Sequence, residues 1–447
     1  MKVNEKNSKT VAVATLGCKV NQCESASFQS CFEEQGLTLH PFDAGADIYV
    51  INTCAVTAKA AAQSRQLIRR AQRANPAAKI VVTGCYAQVE PEKIREFEGA
   101  PITLVGNANK HQLVEAALAD GLPPEPVRPW EPRPFFNDIR GESRLTRLPG
   151  TRFPGRTRAF LKVQDGCNNF CSYCIVPHAR GTSRSLTLEA ALEQTLLYRE
   201  HGHGEIVITG IHVGHYGLDL KPPVTLIDLL QTLMAAAPHT RFRLSSLEPT
   251  EISRTLLELM AGTDNFMPHL HIPLQSGSDE TLRRMRRRYT GAQFIEKVLL
   301  ARELLPAAAI GVDVLVGFPG ETEKDFQQTY DLAAGLPITY LHVFPYSRRP
   351  GTPAAAMKPQ VPPETKEERV ALLRELDHKK RSAFYKSRLG RVHPVLVEAA
   401  TAPDGLARGF SDNYIPIRFR PAADDSRRVV PVKLERLQDR FVIGRVA

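Results

Sequence analysis

Three cysteines share one short loop, Cys167–Asn168–Asn169–Phe170–Cys171–Ser172–Tyr173–Cys174. Asp165–Gly166 opens the loop after a strand-like run at 159–163. A loop leaving a strand can wrap its thiols around one inorganic body, whereas a rigid helix would fan them apart. Three thiolates are one fewer than an iron–sulfur cluster usually takes. A metal left short of a ligand keeps an open position, which marks a catalytic rather than a closed structural site. Zinc is the alternative, but it usually takes four ligands, and His178, the nearest candidate, would be a cramped fourth.

Three more cysteines lie far apart in the chain but in equivalent settings. Apolar runs at 11–16, 48–51 and 80–83 read as strands, and Cys18, Cys54 and Cys85 each follow one of them closely. Helical segments at 24–35 and 58–73 lie between, stopped by Gly36 and by Asn75–Pro76. This alternation predicts an α/β fold with a doubly wound parallel sheet. Ligands bind such sheets at the carboxyl ends of the strands, so three βα loops can bring these thiols to one site. Cys23 and Cys31 fall at the start and in the body of the predicted helix and read as packing residues.

The elements that must hold the central loop come next. A helix at 185–201 and strands at 205–209, 242–246, 269–274, 311–317 and 340–344, with helices between, predict a partial (β/α)6 barrel. Functional groups collect at the carboxyl ends of such strands. That places Thr209, Gly210, Ser245, Glu248, Gln275 and Gly317 among the candidate site residues. His212, His215, His269 and His271 read as satisfied structural histidines. The run Arg283–Arg284–Met285–Arg286–Arg287–Arg288–Tyr289 could meet phosphates, with Tyr289 available for stacking.

Residues 122–154 are rich in Pro and Arg and predict an extended linker, because proline breaks helix and strand alike. Arg140, Arg144, Arg147, Arg152, Arg156 and Arg158 add positive charge beside the central cysteine loop, which could guide a phosphate backbone. A long charged helix at 364–387 is followed by five short strands, which predict a small antiparallel β-barrel, a common host of single-stranded nucleic acid. Arg408, Arg418, Arg420 and Lys433 are its candidate phosphate contacts, against the plainer reading of a solvated strand face. The expected divisions are 10–121, 122–154, 155–388 and 389–447.

At 447 residues the chain is long for one core, consistent with several domains. No apolar run reaches membrane-spanning length and the N-terminus lacks a signal-peptide core, so a cytoplasmic location is expected, with no membrane partner. In that compartment eight cysteines point to metal or redox use rather than disulfides. The net charge of +10 suggests an anionic partner, nucleic acid being the usual one.

The CxxxCxxC loop after a strand resembles the radical S-adenosylmethionine (SAM) enzymes, and the wider run 166–185 resembles their methylthiotransferase branch. The segments around Cys18, Cys54 and Cys85 resemble the N-terminal domain of that family, and the C-terminal strands resemble its TRAM domain. The resemblance implies two [4Fe-4S] clusters, a SAM-binding one on Cys167, Cys171 and Cys174 and an auxiliary one on Cys18, Cys54 and Cys85. It places Thr209 and Gly210 at the SAM amino group and Ser245 and Glu248 near the ribose. Arg180 becomes a candidate to neutralise the SAM carboxylate or the cluster charge, with a surface salt bridge as its alternative. The implied activity is conversion of N6-threonylcarbamoyladenosine at position 37 of tRNA to its 2-methylthio derivative. The implied partners are the tRNA anticodon loop and a flavodoxin- or ferredoxin-like electron donor. Lys19–Val20–Asn21–Gln22 looks like the threonylcarbamoyladenosine branch. Alternatives are action on isopentenyladenosine-37, action on a ribosomal-protein aspartate, and a non-catalytic iron–sulfur RNA-binding protein.

Overall fold

Strand-forming runs rich in branched aliphatic residues become the middle of each parallel sheet, and helices cover them. A computed structural model describes residues 9–97, 102–119, 135–145, 147–148, 150–399, 405–421 and 429–447. The Pro-rich first part of the expected linker lies outside the described residues. Among the described residues no helix is long and apolar enough to cross a membrane.

The first unit contains β1 (Thr10–Thr15), α1 (Lys19–Glu34), β2 (Thr38–Leu39), β3 (Ile48–Thr53), α2 (Ala58–Ala74), β4 (Lys79–Gly84), α3 (Cys85–Val89), α4 (Glu92–Arg95), β5 (Ile102–Val105) and α5 (Leu113–Leu118). Its sheet is wholly parallel in the order β2-β1-β3-β4-β5. Every residue of β3 is buried, as a central strand covered on both faces must be. The helix expected from residue 24 instead begins at Lys19, with Cys18 as its extended N-cap. Starting there buries Val20, Asn21 and Glu24 against the sheet and its neighbours.

The second unit runs through β6 (Arg158–Lys162), β7 (Gln164–Asp165), α6 (Val176–Arg180), β8 (Arg184–Ser185), α7 (Leu188–Glu200), β9 (Glu205–Thr209), α8 (Leu226–Ala236), β10 (Arg241–Leu244), α9 (Arg254–Gly262), β11 (His269–His271), α10 (Asp279–Arg284), α11 (Gly291–Leu304), β12 (Ala309–Val316), α12 (Glu323–Gly335), β13 (Tyr340–Pro345) and α13 (Pro363–Lys386). Two parallel three-stranded sheets, β10-β9-β6 and β11-β12-β13, make up the six barrel strands. The Leu247 amide bonds to the His271 carbonyl at 3.0 Å and carries the curve from one sheet to the other. One large apolar core lies between the strands and their helices, with Ile206, Ile208, Phe242, Leu244, Ile310 and Val312 at its centre.

The last unit contains β14 (Val392–Ala399), β15 (Ala407–Ser411), β16 (Pro416–Phe419), β17 (Val429–Gln438) and β18 (Phe441–Val446), closed as a barrel in the order β14-β15-β16-β18-β17. Four seams are antiparallel, but β16 and β18 run parallel. The expected all-antiparallel barrel is corrected at that seam: the β17–β18 hairpin folds across to bring β18 beside β16, which closes the last edge.

Two cysteine triads joined by a buried ion network

β1, β3 and β4 are adjacent, so the loops leaving them are neighbours too. Cys18 caps α1, Cys54 follows the last residue of β3, and Cys85 is the first residue of α3. The turn at Gly84 has φ +95°, and a Cβ there would lie 2.4 Å from the Thr53 carbonyl oxygen. Only glycine permits that close approach, and it aims Cys85 across at Cys54. Cys54 and Cys85 lie within electrostatic reach of each other and of Cys18. Burial pushes the Cys54 thiol up to about 11 and raises Cys85, against the opposing pull of Arg180 and Lys110.

The second triad sits on the loop from Gly166 to Ser183, pinched at its base by pairing of β7 with β8. Gly166 has φ +74°, and a Cβ would fall 1.9 Å from the Thr182 carbonyl oxygen, so no other residue closes this base. The Gln164 amide nitrogen donates to the carbonyls of Asp165 and Gly166 and to Ser183 Oγ, all within 3.0 Å. Burial pushes Cys174 up to about 12 and raises Cys171, with Arg287 acting the other way on Cys171.

The surroundings of both triads fit thiolate ligands. Backbone amides two residues on point at the sulfurs: Asn169 N to Cys167 Sγ at 3.5 Å, Val176 N to Cys174 Sγ at 3.4 Å, and Val56 N to Cys54. Such N–H groups stabilise sulfur-borne negative charge and tune a cluster's potential. Arg287 Nη1 donates to Cys171 Sγ at 3.4 Å, and His212 Nδ1 lies 3.7 Å from Cys167 Sγ. Burial alone would lower His212, but its Cys167 and Glu251 partners raise it to about 9. A cavity of about 90 Å³ opens here, lined by Cys171, His212, His215, Glu248, Arg287 and Tyr289 among others.

Between the triads lies a network of five charged side chains. Arg180, 1% exposed, donates Nη1 to Glu24 Oε1 at 3.0 Å and to both Asp165 oxygens at 3.0 and 2.9 Å, and Nη2 to Asn21 Oδ1 at 2.5 Å. Lys110 also pairs with Glu24, and Lys162 bridges Glu24 and Asp165 at 3.2 Å each. Burial would raise Glu24, yet Arg180, Lys110 and Lys162 hold its carboxyl well below the usual range. Arg180 acts on Cys85 and Cys18 and lies beside the other triad through Asp165, so its ion pair is internal rather than on the surface.

The remaining candidates are spread over the strand ends. Thr209 ends β9 beside Lys162, and a Cβ on Gly210 would lie 2.9 Å from the Gln164 carbonyl oxygen. Ser245 follows β10 with its hydroxyl buried and unpartnered among the described residues. Glu248 pairs with Arg287. Gln275 adopts φ +61° beside β12, and the side of Gly317 where a Cβ would stand is filled by the Lys366 stem at 2.3 Å. Tyr289, expected to be free for stacking, is buried with its hydroxyl on the Pro273 and Leu274 carbonyls. Arg408 and Arg418 face each other across β15 and β16 on the outside of the C-terminal barrel, Lys433 lies on β17 opposite Arg445, and Arg420 is exposed. Cys23 donates to the Phe160 carbonyl at 3.1 Å and burial raises its thiol to about 11, as a packing residue requires.

Arg287 and His212 touch cluster-loop sulfurs, although in the sequence one reads as part of a phosphate-binding run and the other as a structural histidine. Nothing local in the sequence separates Arg287 from its four basic neighbours in that run.

Residues 10–106 match the family described as Uncharacterized protein family UPF0004, and residues 161–333 match the radical SAM superfamily. Among solved structures, TsrM, a radical SAM methyltransferase from Kitasatospora setae, superposes with a TM-score of 0.52 at 16% identity, over 78% of this chain and 77% of that one. This likeness is one of fold. Among curated proteins, the threonylcarbamoyladenosine tRNA methylthiotransferase MtaB of Bacillus subtilis is 39% identical over 95% of this chain and 93% of its own. MtaB of Aquifex aeolicus is also 39% identical, over 91% and 96%. The tRNA-2-methylthio-N(6)-dimethylallyladenosine synthase of Carboxydothermus hydrogenoformans is 34% identical over 89% of each chain. The superfamily implies SAM and a [4Fe-4S] cluster as cofactors. By this identity over nearly its whole length, the chain belongs to the threonylcarbamoyladenosine tRNA methylthiotransferase family of the radical SAM superfamily.

Proposed function

We propose that this protein is a tRNA methylthiotransferase that converts N6-threonylcarbamoyladenosine at position 37 to its 2-methylthio derivative. The observation that carries the reading is the presence of two thiol triads, each with sulfur-directed donors, on facing loops of two interlocked units. A triad leaves one position of a [4Fe-4S] cluster open, and two open positions suit a reaction with two tasks, radical generation and sulfur delivery. Bound SAM and reduced iron–sulfur centres supply the radical and the methyl group. We assign Cys167, Cys171 and Cys174 to the SAM-binding cluster and Cys18, Cys54 and Cys85 to a second, auxiliary cluster.

The chain's own residues bind, orient and shield. Thr209, Gly210, Ser245, Glu248, Gln275 and Gly317 ring the cluster loop at the carboxyl ends of the barrel strands and are the proposed SAM contacts. Arg287, shared between Glu248 and Cys171, ties that ring to the loop. Arg180 fixes the N-terminal unit over the barrel mouth. The C-terminal barrel offers Arg408, Arg418, Arg420 and Lys433 to the phosphates of a tRNA anticodon arm. The divisions 10–121, 122–154, 155–388 and 389–447 are the proposed domains, in a cytoplasmic enzyme served by a flavodoxin- or ferredoxin-like electron donor.

Mass spectrometry of tRNA nucleosides tests the reading, in a host that lacks its own methylthiotransferases and expresses this chain. The expected product is 2-methylthio-N6-threonylcarbamoyladenosine. Its absence with both clusters loaded overturns the reading; appearance of the isopentenyl product instead overturns the substrate assignment.

A further inference from the structure

Parallel barrels ordinarily fill their interior with branched aliphatic side chains. Here the strand alternation sends the aliphatic residues to the helix layer and turns Glu205, Arg243, His271, Asp313, Tyr340 and His342 inward. The lower part of this interior is closed. Arg243 gives Nε and Nη2 to the two Glu205 oxygens at 2.8 and 3.0 Å, and Nη1 to the Asp412 carbonyl at 2.9 Å. Its guanidinium lies 4.9 Å from the ring of Tyr414, which plugs the barrel from the C-terminal unit. His269 Nε2 meets the Tyr340 hydroxyl at 2.8 Å.

The upper part is open. Asp313 Oδ1 lies 2.9 Å from His271 Nε2 and 3.4 Å from His342 Nδ1. The His342 side chain is 48% exposed, and Phe344, on the same face of β13, presents an exposed ring. Lys19, in the first turn of α1 beside Cys18, lies within electrostatic reach of Arg158 and Arg243 on one side and of Asp313 on the other. Among the described residues its ammonium has no hydrogen-bond or ion-pair partner, whereas Arg158 and Arg243 are committed to Glu398 and Glu205.

We propose that Lys19, His342 and Asp313 form a subsite for the N6 substituent of the substrate adenosine, with Lys19 taking its carboxylate. This rests on the substrate reading above and gives it a structural basis. A threonylcarbamoyl group offers one carboxylate, one hydroxyl and ureido N–H donors. Lys19 and His342 suit the carboxylate; Asp313, held ionised by its two histidines, suits the hydroxyl and N–H donors. An apolar isopentenyl chain would displace water from three polar groups and replace none of their hydrogen bonds. Because Lys19 adjoins Cys18, a substituent held there keeps the base beneath the N-terminal triad, and the Phe344 ring offers it a stacking face.

The test is fluorescence anisotropy of the cluster-loaded protein with two synthetic anticodon stem–loops, one carrying N6-threonylcarbamoyladenosine and one plain adenosine at the target position. Lys19→Met is expected to weaken the modified RNA about 10- to 100-fold, the loss of one charged hydrogen bond, and to leave the plain RNA unchanged. Lys19→Arg should recover part of the loss. His342→Gln should show the same selective weakening, and it carries the test if Lys19→Met does not fold. Equal losses on both RNAs, no loss on either, or a wild type without preference for the modified RNA overturns the subsite. Nucleoside analysis of the wild type is read separately: normal methylthiolation beside an indifferent Lys19→Met refutes the subsite alone, and no methylthiolation refutes the function.

Discussion

Replacing Arg180 with Met removes one of the two cations, Arg180 and Lys162, that Glu24 and Asp165 share. Both carboxylates are buried, Glu24 at 1% and Asp165 at 6% exposure, so neither can recover solvent in its place. The network now holds three cations, Arg180, Lys110 and Lys162, against two carboxylates, and the variant keeps one lysine for each. Breaking a buried pair by removing one partner costs about 3–5 kcal/mol. The two remaining lysines place this case at the lower end, about 3 kcal/mol. Because Glu24 belongs to the N-terminal unit and Asp165 to the barrel, the loss should appear as weaker docking of the two. Urea unfolding of Arg180→Met, Glu24→Gln and the double variant, with hydrogen exchange across α1 and α6, measures it. The double variant should be less destabilised than the sum of the singles by about 1–3 kcal/mol, since both remove one interaction. A single variant within about 0.5 kcal/mol of wild type, or strictly additive singles, would refute the idea that this network joins the units.

Glu205 is pushed down to about 2 by Arg243 and Arg241, against burial that would raise it. Its stabilisation, about 3 kcal/mol from the shift, is present above its ordinary value of 4.5 and is lost as pH falls towards about 2. The stability difference between wild type and Glu205→Gln should therefore shrink over that window in denaturant titrations. Gly84→Ala should displace Cys85, because its Cβ meets the Thr53 carbonyl oxygen. Iron analysis and electron paramagnetic resonance should then show loss of the proposed N-terminal cluster with the cluster-loop one retained. Tyr414 lies 4.7 Å from His269 and 4.9 Å from Phe410, ring to ring, so Tyr414→Ala should loosen the C-terminal barrel by about 2 kcal/mol and expose its junction to limited proteolysis. The triple variant Arg408→Ala, Arg418→Ala, Lys433→Ala should lower the salt slope of RNA binding by about 2, three proposed phosphate contacts at roughly 0.7 each on a single strand.

Cysteine spacing and strand periodicity were enough to group the thiols. Cys167, Cys171 and Cys174 are local, and their loop follows a strand whose pattern is visible in the residues themselves. Cys18, Cys54 and Cys85 could be paired with strand ends because the sheet is parallel and the strands central, a regularity of α/β folds. The six barrel strands follow from the same alternation, and the closed C-terminal barrel from the density of short strands. The parallel β16–β18 seam was not legible, because pairing partners depend on how a hairpin folds across the barrel rather than on composition.

Which charges meet was decided only by the tertiary structure. Glu24, Lys110, Lys162, Asp165 and Arg180 are spread over more than 150 residues of chain, and no local pattern pairs them. Arg287 reads as one of several phosphate-binding arginines until the fold sets it on Cys171. His271 reads as a structural histidine until β12 lies between its strand and that of His342 and places Asp313 within reach of both. The chemistry-bearing thiols are written in the sequence because spacing along one loop or at strand ends is a local property. Their electrostatic surroundings are long-range, and only the docking of the units determines them.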